Sequence, residues 1–61
     1  MIEIMVNGEP RTVPSGLRLD GLLKHLEIPA ARVAVERNRV LVRKTDWSAT
    51  EVLSGDQLEV V

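Results

Sequence analysis

The 61-residue sequence contains no cysteine, phenylalanine or tyrosine, and it has one histidine and one tryptophan. Without cysteine, neither a disulfide nor a zinc site built on thiolates can form. Without a set of exposed aromatic side chains, the chain lacks the platforms on which single-stranded nucleic acid stacks. Because neither a disulfide nor a thiolate zinc site is available, the fold must be stabilised by an aliphatic core, and a hydrophobic content of 44% is sufficient for one.

The chain also lacks a strong charge of either sign, since 8 basic and 9 acidic residues give a net charge of -1. Basic residues crowd the segment from Arg32 to Lys44, which we interpret as a solvated turn region and not as a phosphate-binding patch. We therefore predict no nucleic-acid partner. Apolar and polar residues alternate from the N-terminus onward, which is not the pattern of a signal peptide. No apolar run is long enough to span a membrane. We predict a cytoplasmic protein with no membrane association.

One stretch has the period of an amphipathic helix. Leu19, Leu22, Leu23 and Leu26 stand at i, i+3, i+4 and i+7, which predicts a helix over about residues 18–26. Arg18 stands where a serine or threonine would be a better N-cap. Gly21 costs roughly 1 kcal/mol relative to alanine inside a helix, so we expect a close packing neighbour at this position.

The other segments have the pattern of strands. Residues 2–6 alternate and are followed by Asn7-Gly8, a strong hairpin signal, and residues 11–13 return as a second strand. Residues 33–37 and 40–42 predict a second hairpin, which turns at Asn38 and Arg39, and residues 57–61 alternate again. Residues 43–50 are expected to be irregular, with Trp47 covering one end of the core. The order predicts one α+β domain over residues 1–61, a mixed β-grasp sheet with one crossover helix.

Residues with catalytic chemistry are few. His25 has no neighbouring cysteine, second histidine or paired carboxylate at ligand spacing, so we predict no metal site. The serines lack a partner base, and the glycines form no phosphate-binding loop. We therefore predict a carrier or interaction module without a cofactor, and not an enzyme. Glu3, Glu36 and Glu59 could lie side by side on the open sheet face, either as a solvated surface, which we prefer, or as a docking surface for a basic partner.

Several motifs, in this order and spacing, resemble the ThiS-type sulfur carriers of thiamin biosynthesis. The resemblance covers essentially the whole chain, although each motif alone is weak. The motifs are Ile4-Met5-Val6-Asn7-Gly8-Glu9-Pro10, Val13-Pro14-Ser15-Gly16, Leu22-Leu23, Val33-Ala34-Val35-Glu36, Val42-Arg43-Lys44-Thr45-Asp46-Trp47 and Ser54-Gly55-Asp56-Gln57-Leu58-Glu59-Val60-Val61.

The resemblance implies a ubiquitin-like β-grasp protein with a flexible tail that ends in Gly-Gly. In such carriers a ThiF-type adenylating enzyme activates the terminal carboxylate with ATP, sulfur replaces AMP, and thiazole synthase uses the resulting thiocarboxylate. The sequence stops at Val61 without Gly-Gly, and we expect the natural chain to continue. The alternatives are the sibling carrier of molybdopterin synthesis and a tail-less β-grasp binding module.

The resemblance also implies where partners bind, because the open sheet face of ubiquitin-like carriers meets the activating enzyme. Strand alternation predicts which residues of this chain point away from the helix. The predicted partner-binding residues are Met5, Ala34, Glu36, Glu59 and Val61.

Overall fold

The computed structural model describes all residues from Met1 to Val61 and contains five strands and one α-helix. Two short 3-10 helices, Ala30–Arg32 and Lys44–Ala49, connect them. The order of strand, strand, helix and three strands is the predicted one. The elements are β1 (Ile2–Val6), β2 (Glu9–Val13), α1 (Leu19–His25), β3 (Val35–Arg37), β4 (Val40–Val42) and β5 (Gln57–Val60).

The five strands form one mixed sheet in the order β2-β1-β5-β3-β4. β1 and β5 are parallel, whereas the pairs β1–β2, β3–β4 and β3–β5 are antiparallel. β1 and β5 therefore run side by side in the interior of the sheet, with β2 next to β1 and the β3–β4 hairpin next to β5. This α+β arrangement, with a crossover helix between the hairpins, confirms the predicted mixed sheet.

Helix α1 packs on one face of this sheet through its leucines. Leu19, Leu22 and Leu23 are fully buried, and Leu26 is partly buried against the same cluster. Arg18 is the N-cap and makes no side-chain cap hydrogen bond, as predicted. The backbone carbonyl of Thr50 instead accepts the Leu19 N–H at 3.0 Å, so a neighbouring loop satisfies one of the free donors at the helix start.

Ten apolar side chains form the core between the helix and the sheet. Trp47 is among them, at 4% exposure, and its indole N–H donates to the Val42 carbonyl at 3.0 Å. The expected role of Trp47 at the core is therefore confirmed. The buried set is Ile4, Val6, Val13, Leu19, Leu22, Leu23, Val35, Trp47, Val52 and Leu58.

Two connecting segments differ from the prediction. Residues 44–49 form a 3-10 helix and are not irregular, because burial of Trp47 draws the segment into a tight turn that Thr50 closes through its N–H to the Trp47 carbonyl at 3.2 Å. The third strand begins at Val35 and not at Val33, because Pro29 is followed by the 3-10 turn Ala30–Arg32. No helix of this protein has the length and apolar character needed to cross a membrane.

Candidate docking surface

The sheet has one face covered by α1 and one face without a covering element, which we call the open face. Ile4, Val35 and Leu58 are buried under the helix. Alternate strand residues point to opposite sides of a sheet, so Met5, Glu36 and Glu59 project from the open face. Ala34 and Val61 continue the same alternation at the end of the β3–β5 pair, where they exchange backbone hydrogen bonds of 2.9 and 3.0 Å. The structure thus brings all five predicted partner-binding residues to one face.

Two carboxylates lie directly opposite each other on this face. Glu36 of β3 pairs with Glu59 of β5, and both side chains are exposed. Neither carboxylate makes an ion pair, because the two ion pairs of the protein are Arg11–Glu9 and Arg37–Asp56. Like charges directly opposite on neighbouring strands destabilise a sheet. The open face therefore carries two neighbouring carboxylates, neither of which makes an ion pair within the chain.

Glu3 does not belong to this pair, which corrects the expectation that three carboxylates lie side by side. Its cross-strand neighbour is Thr12, and its carbonyl accepts the Gly55 N–H at 2.8 Å. Glu3 thus lies at the far end of β1, beside the turn before β5. The parallel register sets this separation, since it places Met5 beside Gln57 and shifts Glu3 away from Glu59.

An exposed apolar side chain borders the carboxylate pair. Leu41 of the edge strand β4 lies directly opposite Glu36 and is 62% exposed. The sequence alone does not single out Leu41, because Val40, Leu41 and Val42 are all apolar and no alternation shows which of them faces outward. The β3–β4 register resolves this point, since Val42 pairs with the buried Val35.

A buried polar cluster fixes the hairpin next to the open face. Asp56 is 5% exposed and accepts hydrogen bonds from the Arg37 Nε at 2.8 Å, the Leu53 N–H at 2.8 Å and the Asn38 Nδ2 at 3.2 Å. Burial by itself would raise the pKa of Asp56, but the hydrogen bonds from Arg37, Leu53 and Asn38 outweigh it and hold this pKa below its ordinary value. In the sequence this aspartate is recognisable only as part of a turn, because its partners Arg37 and Asn38 lie 19 and 18 residues away.

The one histidine of the chain lies on α1 and not on the open face. His25 is exposed at the end of α1, no group of His, Cys, Asp or Glu side chains is placed to hold a metal ion, and the surface has no pocket. A flat face with a charged centre and an apolar border is a surface on which another protein can dock.

Comparisons with known proteins agree with this architecture. The crystal structure of the thiamine biosynthesis protein ThiS from Geobacter metallireducens matches with a TM-score of 0.90 at 33% sequence identity, covering 98% of this chain and 91% of that chain. The predicted β-grasp fold is therefore confirmed.

Sequence relatives give the same indication. A thiazole synthase from Magnetococcus marinus is 40% identical over 60 residues, which cover 98% of this chain but only 18% of that protein. An uncharacterised protein, ycf40 of Pyropia yezoensis, is 38% identical over 60 residues, covering 98% of this chain and 84% of that protein. The family model for ThiS matches residues 4–61. This chain therefore belongs to the ThiS family.

Proposed function

We propose that this protein is the sulfur carrier for thiazole formation in thiamin biosynthesis, a protein cosubstrate and not an enzyme. The observation that carries the proposal is the ThiS family match over residues 4–61. The match to a ThiS crystal structure at a TM-score of 0.90 supports it. The likeness to part of a thiazole synthase favours the thiamin branch over the molybdopterin branch.

The proposed chemistry takes place on a C-terminal tail that follows Val61 and ends in Gly-Gly. A free carboxylate is a poor electrophile, and adenylation by ATP releases pyrophosphate and gives the carboxylate a good leaving group. Hydrosulfide then attacks the acyl carbon and AMP leaves, which gives a thiocarboxylate for transfer to the thiazole precursor. Glycines have no Cβ, so such a tail can enter a narrow catalytic cleft. Residues 1–61 act as one domain that presents this tail, and we predict that the protein works in the cytoplasm.

The open face is the proposed docking surface for a ThiF-type adenylating enzyme, and thiazole synthase is the proposed recipient of the sulfur. The pairing of Glu36 with Glu59, with neither carboxylate in an ion pair, supports a partner with a basic surface. Such a partner would relieve the repulsion between the two carboxylates when it binds. The docking residues are Met5, Ala34, Glu36, Glu59 and Val61, with Leu41 as an apolar border.

The experiment is an ATP–pyrophosphate exchange assay with the gene product in its natural length and its adenylating enzyme. Charge reversal by Glu36→Lys or Glu59→Lys is expected to raise KM for the carrier roughly three- to tenfold, with a weaker dependence on salt. Glu51→Lys is the matched control, because Glu51 is exposed beside Arg18 at the helix start, on the covered side of the sheet.

Two results would contradict parts of this proposal. No exchange with the wild-type carrier would overturn the sulfur-carrier function. Normal exchange with an unchanged KM for both open-face variants would overturn the docking surface alone. Circular dichroism of each variant shows whether the fold is retained.

A further inference from the structure

The side chain of Asn7 contacts β5 where the main chain of β1 no longer can. In the parallel pairing of β1 with β5, the Met5 N–H donates to the Asp56 carbonyl and the Asn7 N–H donates to the Leu58 carbonyl, both at 2.9 Å. The chain then turns at Asn7, with φ of 51°, and at Gly8, with φ of 81°. Strand β1 therefore has no further backbone group to offer to Val60.

The amide group of the Asn7 side chain takes the place of that missing backbone. Its Oδ1 accepts the Val60 N–H at 2.8 Å, and its Nδ2 donates to the Val60 carbonyl at 3.1 Å. A side-chain amide carries the same donor and acceptor as a peptide group, so it can continue the hydrogen-bonding pattern of a strand. On the other side, Ala34 and Val61 exchange two backbone hydrogen bonds. The segment Val60–Val61 is thus held from both edges.

We propose that Asn7 is a positioning residue, which fixes the path of the backbone at Val60 and so sets the direction in which the reactive tail leaves β5. This inference rests on the proposed function, because it concerns the tail that the adenylating enzyme must receive. Val60 lies next to Glu59 of the docking surface, so its orientation sets where the tail begins relative to the docked partner. Without the Asn7 side chain, the segment Val60–Val61 would be held by hydrogen bonds on one side only, through Ala34.

Asn38 provides a matched control at the opposite end of the same strand. It also has a positive φ, of 52°, at the start of a hairpin turn. Its Oδ1 accepts the Gln57 N–H at 2.9 Å, and its Nδ2 donates to Asp56. Asn38 therefore holds the beginning of β5, whereas Asn7 holds its end.

The test compares Asn7→Gly with Asn38→Gly in the gene product of natural length. Glycine adopts a positive φ freely, so both substitutions keep their turns and remove only the side-chain contacts. Native-state hydrogen exchange is expected to show roughly tenfold less protection of the Val60 amide in Asn7→Gly, the loss of two modest hydrogen bonds. In Asn38→Gly the Val60 amide should keep its protection, and the Gln57 amide should lose it.

The second readout is the adenylation reaction. In Asn7→Gly, kcat is expected to fall roughly tenfold while KM for the carrier stays within about twofold, because misdirection of the tail reduces productive complexes and leaves the docking surface intact. Asn38→Gly should keep the wild-type kcat. A purely structural role for Asn7 would not produce this separation of kcat from KM in a folded variant.

A second substitution guards against loss of folding. Asn7→Asp tolerates the left-handed conformation and keeps the acceptor for the Val60 N–H, but it has no donor for the Val60 carbonyl. The Val60 amide should therefore keep more protection in Asn7→Asp than in Asn7→Gly. A wild-type kcat in a folded Asn7→Gly, or a lowered kcat with an unchanged Val60 amide, would overturn the inference alone. An inactive wild-type carrier would overturn the proposed function first.

Discussion

The two faces of the sheet are built from the same strands but differ in almost every physical respect. Under the helix, Ile4, Val35 and Leu58 are each 1% exposed or less. On the open face, Glu36 and Glu59 stand opposite each other, and both are exposed and make no ion pair. One face therefore carries the burial that stabilises the fold. The other face carries two like charges directly opposite each other, which lowers the stability of the isolated domain.

This difference indicates how a domain of 61 residues can combine stability with binding. A chain this small buries only about 60% of the surface that its unfolded form exposes, so its stability margin is narrow. Concentrating the core on one face leaves the other free of packing constraints. Substitutions on the covered face should therefore change stability, and substitutions on the open face should change partner binding.

The largest effect on stability is expected from truncating a core side chain between α1 and the covered face of the sheet. Leu22→Ala removes most of a fully buried side chain and should lower the free energy of unfolding by about 3 kcal/mol, through lost burial and the cavity left behind. Chemical denaturation measures this change. Ile4→Val is the milder variant if Leu22→Ala does not fold, and it should cost about 1 kcal/mol. A loss below about 1 kcal/mol for a folded Leu22→Ala would contradict the leucine face as the centre of the core.

The next effect concerns the polar cluster around Asp56. Asp56→Asn leaves Arg37 without its carboxylate partner and should lower the free energy of unfolding by about 2–3 kcal/mol at neutral pH. Asp46→Asn is the control, since Asp46 is exposed, and it should stay within about 0.5 kcal/mol of the wild type.

The same cluster predicts a pH dependence with a definite sign. Because the pKa of Asp56 is lowered on folding, the unfolded chain binds its proton more readily in acid. The stabilisation should be fully present above the ordinary aspartate pKa and should be lost as the pH falls through the folded-state pKa. Denaturation at a series of acidic pH values should show this loss in the wild type and a flatter curve in Asp56→Asn. Parallel curves for the two proteins would contradict the assignment.

The smallest effect is a gain in stability on the helix. A Cβ added at Gly21 would meet only the Leu17 Cδ2, at an ordinary contact distance of 3.7 Å, and this glycine does not have a positive φ. The expected close neighbour is therefore absent, and that prediction was wrong. Gly21→Ala should raise the free energy of unfolding by about 0.5–1 kcal/mol through better helix propensity. A loss of stability in thermal denaturation would show a constraint at this position that the packing does not reveal.

The sequence predicted the features that repeat along the chain. The leucine period identified α1, and the alternation in residues 2–6 and 57–61 identified the two central strands, because burial on one face imposes these periods directly. The motifs of the whole chain, in order, led to the correct family. Asn7-Gly8 and Asn38-Arg39 marked the two hairpin turns, since asparagine tolerates a positive φ.

Other features depend on contacts between distant segments and could not be predicted from local patterns. The pairing of Glu36 with Glu59 and the displacement of Glu3 follow from strand register, which no local signal sets. The hydrogen bonds of Asn7 to Val60 and of Asp56 to Arg37 join segments that meet only after folding. Leu41 escaped notice because it lies within an unbroken apolar run.

The most direct test of the proposed sulfur-carrier function is the intact mass of the gene product, purified without a tag from its own cell. We expect a chain that continues beyond Val61 to a C-terminal Gly-Gly. We also expect a second species that is heavier by the replacement of one oxygen atom by one sulfur atom. A single species that ends at Val61, with no sulfur-containing form, would contradict the carrier function and leave a β-grasp binding module.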